Sequence, residues 1–332
     1  MKQQIIDLWK ISFGDTDEFI QLYFDRVYKE ENTFVIKKGG KVVSALQILP
    51  YEMTYCGTTI PVGYICGVCT EPSERGKGLM NQLMVQALEE MSNRNYALAI
   101  LIPASARLFD FYRRFEFANA FDYAIEDVYR EIPENRGYLK STQMLRLRSA
   151  QVTQNRQIDA DNKYIYAYYN LKQCERDCCV LHSAYQFETV RQDWILGKGE
   201  IWVAFENEQP VGLAFAISRT PETVSIREIM YDRADIKYQL VWSILNHCQL
   251  PKAEIRTLPS PPNSIPYAMA RIIDKERMIE LYQLFNSMQV RSSTFKVQDS
   301  WLPDFINMDI YSLTQFLLKY EQRQAFMNLM LD

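Results

Sequence analysis

Val68-Cys69-Thr70-Glu71-Pro72-Ser73-Glu74-Arg75-Gly76-Lys77-Gly78-Leu79-Met80 is the stretch whose reading decides the fold. An apolar run with strand character enters a loop holding two glycines and two cations. Leu79, Leu83, Met84, Ala87, Leu88 and Met91 then recur every three or four residues, which predicts a helix from about Gly76 to Asn93. The first N–H groups of a helix lack partners and lie at the positive end of its dipole, and glycine lets the main chain approach closely. The loop is therefore expected to hold an anion such as a pyrophosphate, with Arg75 and Lys77 adding positive charge.

Upstream, Asp15 and Glu18 have the spacing of a capping box, followed at helical spacing by Phe19, Leu22, Tyr23 and Val27. Thr33 to Lys38 and Lys41 to Leu49 flank Gly39-Gly40 as a hairpin, and Tyr51 to Tyr55 and Thr59 to Thr70 add strands across a turn at Gly57. Downstream, a strand over Tyr96 to Ile102 stops at Pro103. A short helix at Leu108 to Arg113 and a strand over Glu116 to Ala120 follow. A similar order returns later: strands at Ile201 to Phe205, Val211 to Ser218 and Val224 to Met230, a helix over Ala234 to Cys248, and a strand at Ala253 to Thr257. The corresponding loop, Tyr231-Asp232-Arg233, has no glycine, so this second copy is expected to be structural. The proline-rich segment 259–266 reads as a linker. Beyond it a small unit is expected, with a strand at Met269 to Ile273, a helix at Lys275 to Phe285, a strand at Val290 to Val297 and a helix from Ser312.

A chain of 332 residues, 48% apolar, has room for two or three packed domains. Its net charge of −4 comes from mixed acidic and basic residues, so neither nucleic acid nor a membrane is an expected partner, and mild acidity suits a cationic small acceptor. Lys2, Asp7, Lys10 and Asp15 interrupt the N-terminal apolar residues as no signal peptide would. Seven scattered cysteines read as free thiols in a reducing compartment, and a cytoplasmic location is expected.

The loop resembles the signature of the GCN5-related N-acetyltransferase (GNAT) superfamily, Arg or Gln, two residues, Gly, one residue, Gly or Ala; here it reads Arg75, Gly78 and Met80. Met80 departs from the general pattern in a way shared by the enhanced intracellular survival (Eis) branch, whose loop is similar to Pro72 to Leu83. The resemblance implies an α+β protein of two tandem GNAT folds with mixed sheets. It divides the chain into a catalytic domain over 1–150, a degenerate copy over 151–258 and a short sterol-carrier-like (SCP2-like) α/β domain over 259–332.

It further implies acetyl-CoA as cosubstrate, bound by main-chain groups of Val68, Cys69 and Thr70 along the pantetheine arm and by the loop of Arg75, Gly76, Lys77, Gly78, Leu79 and Met80 at the pyrophosphate. The implied activity is N-acetylation of a small-molecule or peptide amine by direct attack, with no metal. Tyr112 would be the general acid, and Asp332, through the chain-terminal carboxylate, the base, with Glu71 and Glu116 as alternatives. Assembly into homo-oligomers is compatible with this architecture.

Gly76-Lys77-Gly78-Leu79-Met80-Asn81 lacks the third glycine of a dinucleotide loop. Tyr112, flanked by Phe109, Phe111, Phe115 and Phe117, would be a packed aromatic but for its position after the loop. On an extended strand Cys66 and Cys69 face opposite sides, which excludes a zinc pair without a bulge. Cys174, Cys178, Cys179 and His182 could form a helical ligand cluster, but two histidines in the whole chain make this a weak expectation and argue against a Ser-His-Asp hydrolase. A stripe from Phe305 to Leu317 suggests lipid carriage or, more simply, helix core. A non-catalytic protein that binds acyl-CoA as a regulatory signal is the alternative function.

Overall fold

A computed structural model describes residues 1–130, 143–147, 156–218, 220–259, 263–292, 304–305 and 307–331. β1 (Thr33–Lys38) and β2 (Lys41–Tyr55) meet at Gly39 and Gly40, both at positive φ, the conformation a two-residue hairpin turn demands. β2 runs unbroken through Pro50 and pairs antiparallel with β3 (Thr58–Thr70). Then come α3 (Leu79–Asn93), β4 (Leu98–Leu101), α4 (Ala106–Arg113) and β5 (Ala118–Tyr129). Ahead of them lie α1 (Lys2–Ser12), which the sequence reading did not identify, and α2 (Asp17–Arg26). The cap of α2 is Thr16, whose hydroxyl accepts from Phe19 N–H at 3.2 Å, and not Asp15, whose carboxylate takes the Trp9 indole N–H at 2.7 Å.

The repeated order is present as β8 (Glu200–Glu206), β9 (Gln209–Ser218), β10 (Thr223–Tyr231), α7 (Ala234–Cys248) and β11 (Lys252–Thr257), preceded by β6 (Gln143–Leu147), α5 (Arg156–Cys174), β7 (Val180–Leu181) and α6 (Ala184–Leu196). The chain closes with β12 (Ile265–Ile272), α8 (Lys275–Ser292) and α9 (Ile310–Leu317). Among the described residues the strands form one mixed sheet in the order β1-β2-β3-β4-β12-β5-β11-β10-β9-β8-β6, with β7 added to β2.

This order corrects the expected division of the chain. β12 is not the start of a separate unit: it lies between β4 and β5, pairing Met269 with Leu101 on one side and Ala270 with Ala118 on the other. Its Ala268, Met269, Ala270 and Ile272 are buried on both faces, as a central strand requires. From α8 and α9, Met278, Leu313 and Leu317 join one core with Tyr55, Val62 and Ile100. The described part of 259–332 thus completes the N-terminal fold and has no core of its own. The strand expected at Val290 to Val297 is helical through Ser292, and the rest of it lies outside the described residues.

β5 serves both halves. Residues up to Tyr123 pair with β12, and Ala124 to Tyr129 pair with β11. β6, placed before the expected boundary at 150, pairs with β8 of the second half, so the division falls upstream of it.

Candidate active site

The site forms where two parallel strands separate. β3 and β4 pair over only four residues, Val62 with Leu98 to Ile65 with Leu101. Beyond Ile65, β3 runs on to Thr70 with no strand on that side, while antiparallel β12 carries Ala268 and Tyr267 past the end of β4 as the opposite wall. On the other edge of β3 the register jumps from Gln47–Cys66 to Ala45–Cys69, so Gly67 and Val68 have no partners in β2. Gly67 sits at φ +58°, the left-handed conformation that glycine adopts without a Cβ penalty. A glycine inside an otherwise apolar strand was the sequence signal for this bulge. The opening thus presents unpaired main chain at Val68, whereas Arg75 Nε donates to the Thr70 carbonyl at 3.0 Å and Ser44 Oγ to the Cys69 carbonyl at 3.1 Å.

The strand continues into the glycine loop. Gly76 and Gly78 have φ of +76° and +78°, and a Cβ at either would meet nothing within 4 Å, so the main chain faces open space. Gly78 is the N-cap of α3 and supplies no side-chain cap, leaving the first-turn N–H groups to an outside acceptor. Lys38, Lys41, Arg75 and Lys77 surround the corner with only Glu71 and Glu74 opposing them: Lys41 pairs with Glu71 at 2.8 Å, and Glu74 with Lys38 and, at 3.1 Å, Lys77. Hydrogen bonds from Lys38 and Lys77 hold the Glu74 carboxyl below the usual carboxylate range. Leu79 is buried and Met80 packs onto the cluster beneath α3. The Met80 departure therefore points into the core and does not obstruct the loop. Open glycines, unpaired strand and excess positive charge fit an extended, pyrophosphate-bearing ligand.

Tyr112 closes one face of the gap. Its ring is buried with Ile65, Leu101 and Met269, edge-on to Phe111 at 5.1 Å and to Phe117 at 6.1 Å. Burial, and secondarily the Cys66 thiol, pushes its phenol above the ordinary tyrosine value. Burial beneath α1 and α2 pushes the Cys66 and Cys69 thiols up to about 12. Glu71 sits at the loop with Lys41. Glu116 Oε2 accepts from Arg271 Nη2 at 3.0 Å, and Arg271 is the partner of Ala99 in β4, at the end of β4 away from the gap. The structure does not bring these two acids to Tyr112. Asp332 lies outside the described residues.

Across the sheet, α1 and α2 cover the opening. A cavity of about 730 Å³ extends from the turn between them, at Gly14, Asp15 and Phe19, to Tyr267 at the mouth of the gap, Arg227 and Arg256 of the second half, and Asn328 to Met330 of the C-terminal segment. A larger cavity, about 930 Å³, is elsewhere: it adjoins Leu49, Pro61 and Tyr96, near the start of β3, with His182 in its wall.

The second copy repeats the separation. β10 and β11 pair from Thr223–Lys252 to Ile226–Ile255, and β10 bulges at Arg227 immediately afterwards. Here Arg233 caps α7 and is tied to Glu206 at 2.8 Å and Asp235 at 3.2 Å, and no glycine opens the turn.

The bulge at Gly67 also changes the expectation for Cys66 and Cys69. Both pack toward the core beneath α1 and α2, where Cys66 Sγ meets Tyr23 Oη at 3.2 Å. Both are free thiols. Cys174 is exposed at the end of α5, while Cys179 and His182 are buried and bonded separately, and no group of three candidate metal ligands exists among the described residues. No helix among those residues is long and apolar enough to cross a membrane.

Residues 2–120 match the family described as the acetyltransferase (GNAT) domain. No curated protein matches the sequence. Among solved structures, a protein of unknown function from Enterococcus faecalis V583 described as a probable N-acyltransferase is 17% identical, covering 82% of this chain and 70% of its own, with a TM-score of 0.65. A GCN5-related N-acetyltransferase from Anabaena variabilis is 19% identical over 84% and 72%, with a TM-score of 0.65. Eis1 from Mycobacterium abscessus is 13% identical over 84% and 73%, with a TM-score of 0.64. At these identities the likeness is one of fold.

Proposed function

From the premise that residues 2–120 carry a GNAT acetyltransferase domain, we propose that the protein transfers an acyl group, acetyl in the first instance, from acyl-CoA to an amine. The observation that carries the reading is the separation of β3 from β4 after four paired residues, with the extended edge of β3 leading straight into two open glycines and a helix start. The arm of acyl-CoA runs along Val68, Cys69 and Thr70, and its pyrophosphate rests on Gly76 to Met80 beside Arg75 and Lys77. The thioester then lies near Tyr112, and the acceptor reaches it from the 730 Å³ cavity on the opposite face.

In this reading a neutral amine attacks the thioester carbon, the new C–N bond forms as the C–S bond breaks, and Tyr112 gives its proton to the departing sulfur. In water a phenol near ~10 and a thiol near ~8.5 make that transfer modestly uphill. Burial raises the Tyr112 phenol and so makes that step harder unless the departing thiolate is equally dry. Asp15, in the cavity wall with its carboxylate on Trp9, is a candidate to take the acceptor's proton.

The raised phenol favours one rival, acyl-CoA binding without turnover. Calorimetric titration with acetyl-CoA, followed by thiol release against a panel of primary amines, separates the readings. Binding with amine-dependent release supports transfer. Binding without release across the panel supports the rival, and absence of binding removes both.

A further inference from the structure

Arg256 is a buried cation whose charge no carboxylate contacts. It is 8% exposed and forms no ion pair with any described residue. Its guanidinium sits in the corner of two mutually perpendicular rings, 4.2 Å from the centre of Tyr123 and 4.4 Å from that of Tyr267. The negative faces or edges of these rings favour the cation but accept no strong hydrogen bond from it. Nη1 donates to Asn328 Oδ1 at 3.1 Å. Nε is buried with no partner, and Nη2 has none among the described residues.

The unused Nε–Nη2 side is the fork that matches the two oxygens of a carboxylate, and Nη2 is its donor that is not itself buried. The buried Glu228 reaches Arg256 only through Asn328 and faces Arg176 at 3.6 Å. Burying a charge is costly, and the one carboxylate that feels Arg256 at a distance, Glu228, is shared with Arg176, so an arginine with unused donors in a cavity wall can take an external anion.

Arg256 and Tyr267 both line the 730 Å³ cavity, and Tyr267 stands on β12 just past the end of β4, at the mouth of the gap. We propose that the acceptor carries a carboxylate besides its amine, as an amino acid or short peptide does, and that the Arg256 fork holds this carboxylate so that the amine reaches the acyl site. The proposal rests on the acyl-transfer reading for its amine and on Arg256 alone for its carboxylate. Arg256 also borders a second cavity of about 530 Å³, but the other cations there are engaged: Lys237 with Glu126, Lys172 with Glu175 and Arg176 with Glu228.

The test compares matched ligands that differ only in the carboxylate: phenylalanine with phenethylamine, lysine with cadaverine, and dipeptides with their C-terminal amides. Binding to the intact protein is followed by NMR, which needs no turnover. The expected result is at least ~10-fold tighter binding of the carboxylate member of the bound pairs, lost in Arg256→Met, which keeps an unbranched stem against the tyrosines. Ser218→Trp, which places an indole on the wall of the 730 Å³ cavity and not on that of the smaller one, should weaken it as well.

Equal binding within pairs, a preference that survives Arg256→Met or is undiminished in Ser218→Trp, or no binding of any carboxylate up to ~50 mM would overturn the proposal. Should Arg256→Met fail to fold, the wild-type pair comparison and Ser218→Trp still decide. Acetyl-CoA binding measured on the same samples keeps the two ideas apart. Carboxylate preference without acetyl-CoA binding sinks acyl transfer alone, and the converse sinks only the acceptor assignment.

Discussion

Gly67 of β3 lies directly against the indole of Trp9: a Cβ at position 67 would come within 2.8 Å of Trp9 Cζ3. This contact seats α1 on the bulge that separates Val68 from β2, so the helix and the open strand depend on each other. Gly67→Ala would combine a left-handed φ of +58° with that overlap. A loss of about 2–3 kcal/mol is expected, from roughly 1–2 for the backbone and the rest from displaced packing. Urea denaturation measures it; a change below about 0.5 kcal/mol would mean that α1 shifts freely.

Tyr112→Phe removes a proton donor while keeping a ring in the same buried position. Thiol release should fall by about 10²-fold or more with acetyl-CoA affinity unchanged. An unaltered rate rejects Tyr112 as general acid. An equal loss in affinity would indicate a packing role, consistent with its place among Ile65, Leu101 and Phe117.

Gly78→Val tests the loop. The position has φ of +78° and open space around it, so the fold should lose little beyond about 1–2 kcal/mol of backbone strain. Acetyl-CoA binding should weaken at least ~10-fold because a branched side chain keeps the phosphates from the main chain. Calorimetry showing wild-type affinity in a folded Gly78→Val protein would place the pyrophosphate elsewhere.

His182 sets a pH dependence of stability. Its imidazole is buried, bonded to Tyr169 Oη at 2.9 Å and to the Leu329 carbonyl at 3.2 Å, and burial pushes it down to about 4. An unfolded histidine titrates near ~6.5, so between these values the unfolded chain binds a proton that the native protein refuses. The contribution is complete above pH ~6.5 and is lost as pH falls toward 4, by up to about 3 kcal/mol. Denaturation at pH 7.5, 6 and 5 should show this decline in the wild type and a shallower one in His182→Gln; parallel slopes would assign it to other groups.

The position of β12 makes the first fold depend on the end of the chain. A protein ending at Leu258 would leave β4 and β5 without the strand that joins them. It should fail to fold cooperatively and should not bind acetyl-CoA. Recovery of both when a 259–332 fragment is added would support strand complementation, whereas a stable, binding-competent 1–258 protein would contradict the importance of the insertion.

Much of this arrangement was legible locally. The three-to-four spacing of Leu79, Leu83, Met84, Ala87 and Met91 identified α3, and the glycine pair at 39–40 identified the first hairpin, because both signals lie within a few residues of chain. The elements that were missed or displaced had other causes. The spacing of Asp15 and Glu18 suited a cap that Thr16 supplies, since the Asp15 carboxylate is engaged by Trp9. The sequence reading placed Cys66 and Cys69 on opposite faces, and a bulge at Gly67 turned both toward α1 and α2.

The amino-acid sequence by itself determined the strand–glycine loop–helix unit and its repetition without glycines, since conformational preference and periodicity are properties of adjacent residues. Only the tertiary structure decided that β12 enters the first sheet between β4 and β5, that Glu116 faces away from the gap, and that Arg256 sits against Tyr123 and Tyr267 with no ion pair to a described carboxylate. Strand order and charge compensation arise from residues more than a hundred positions apart, and no local pattern specifies which of them become neighbours.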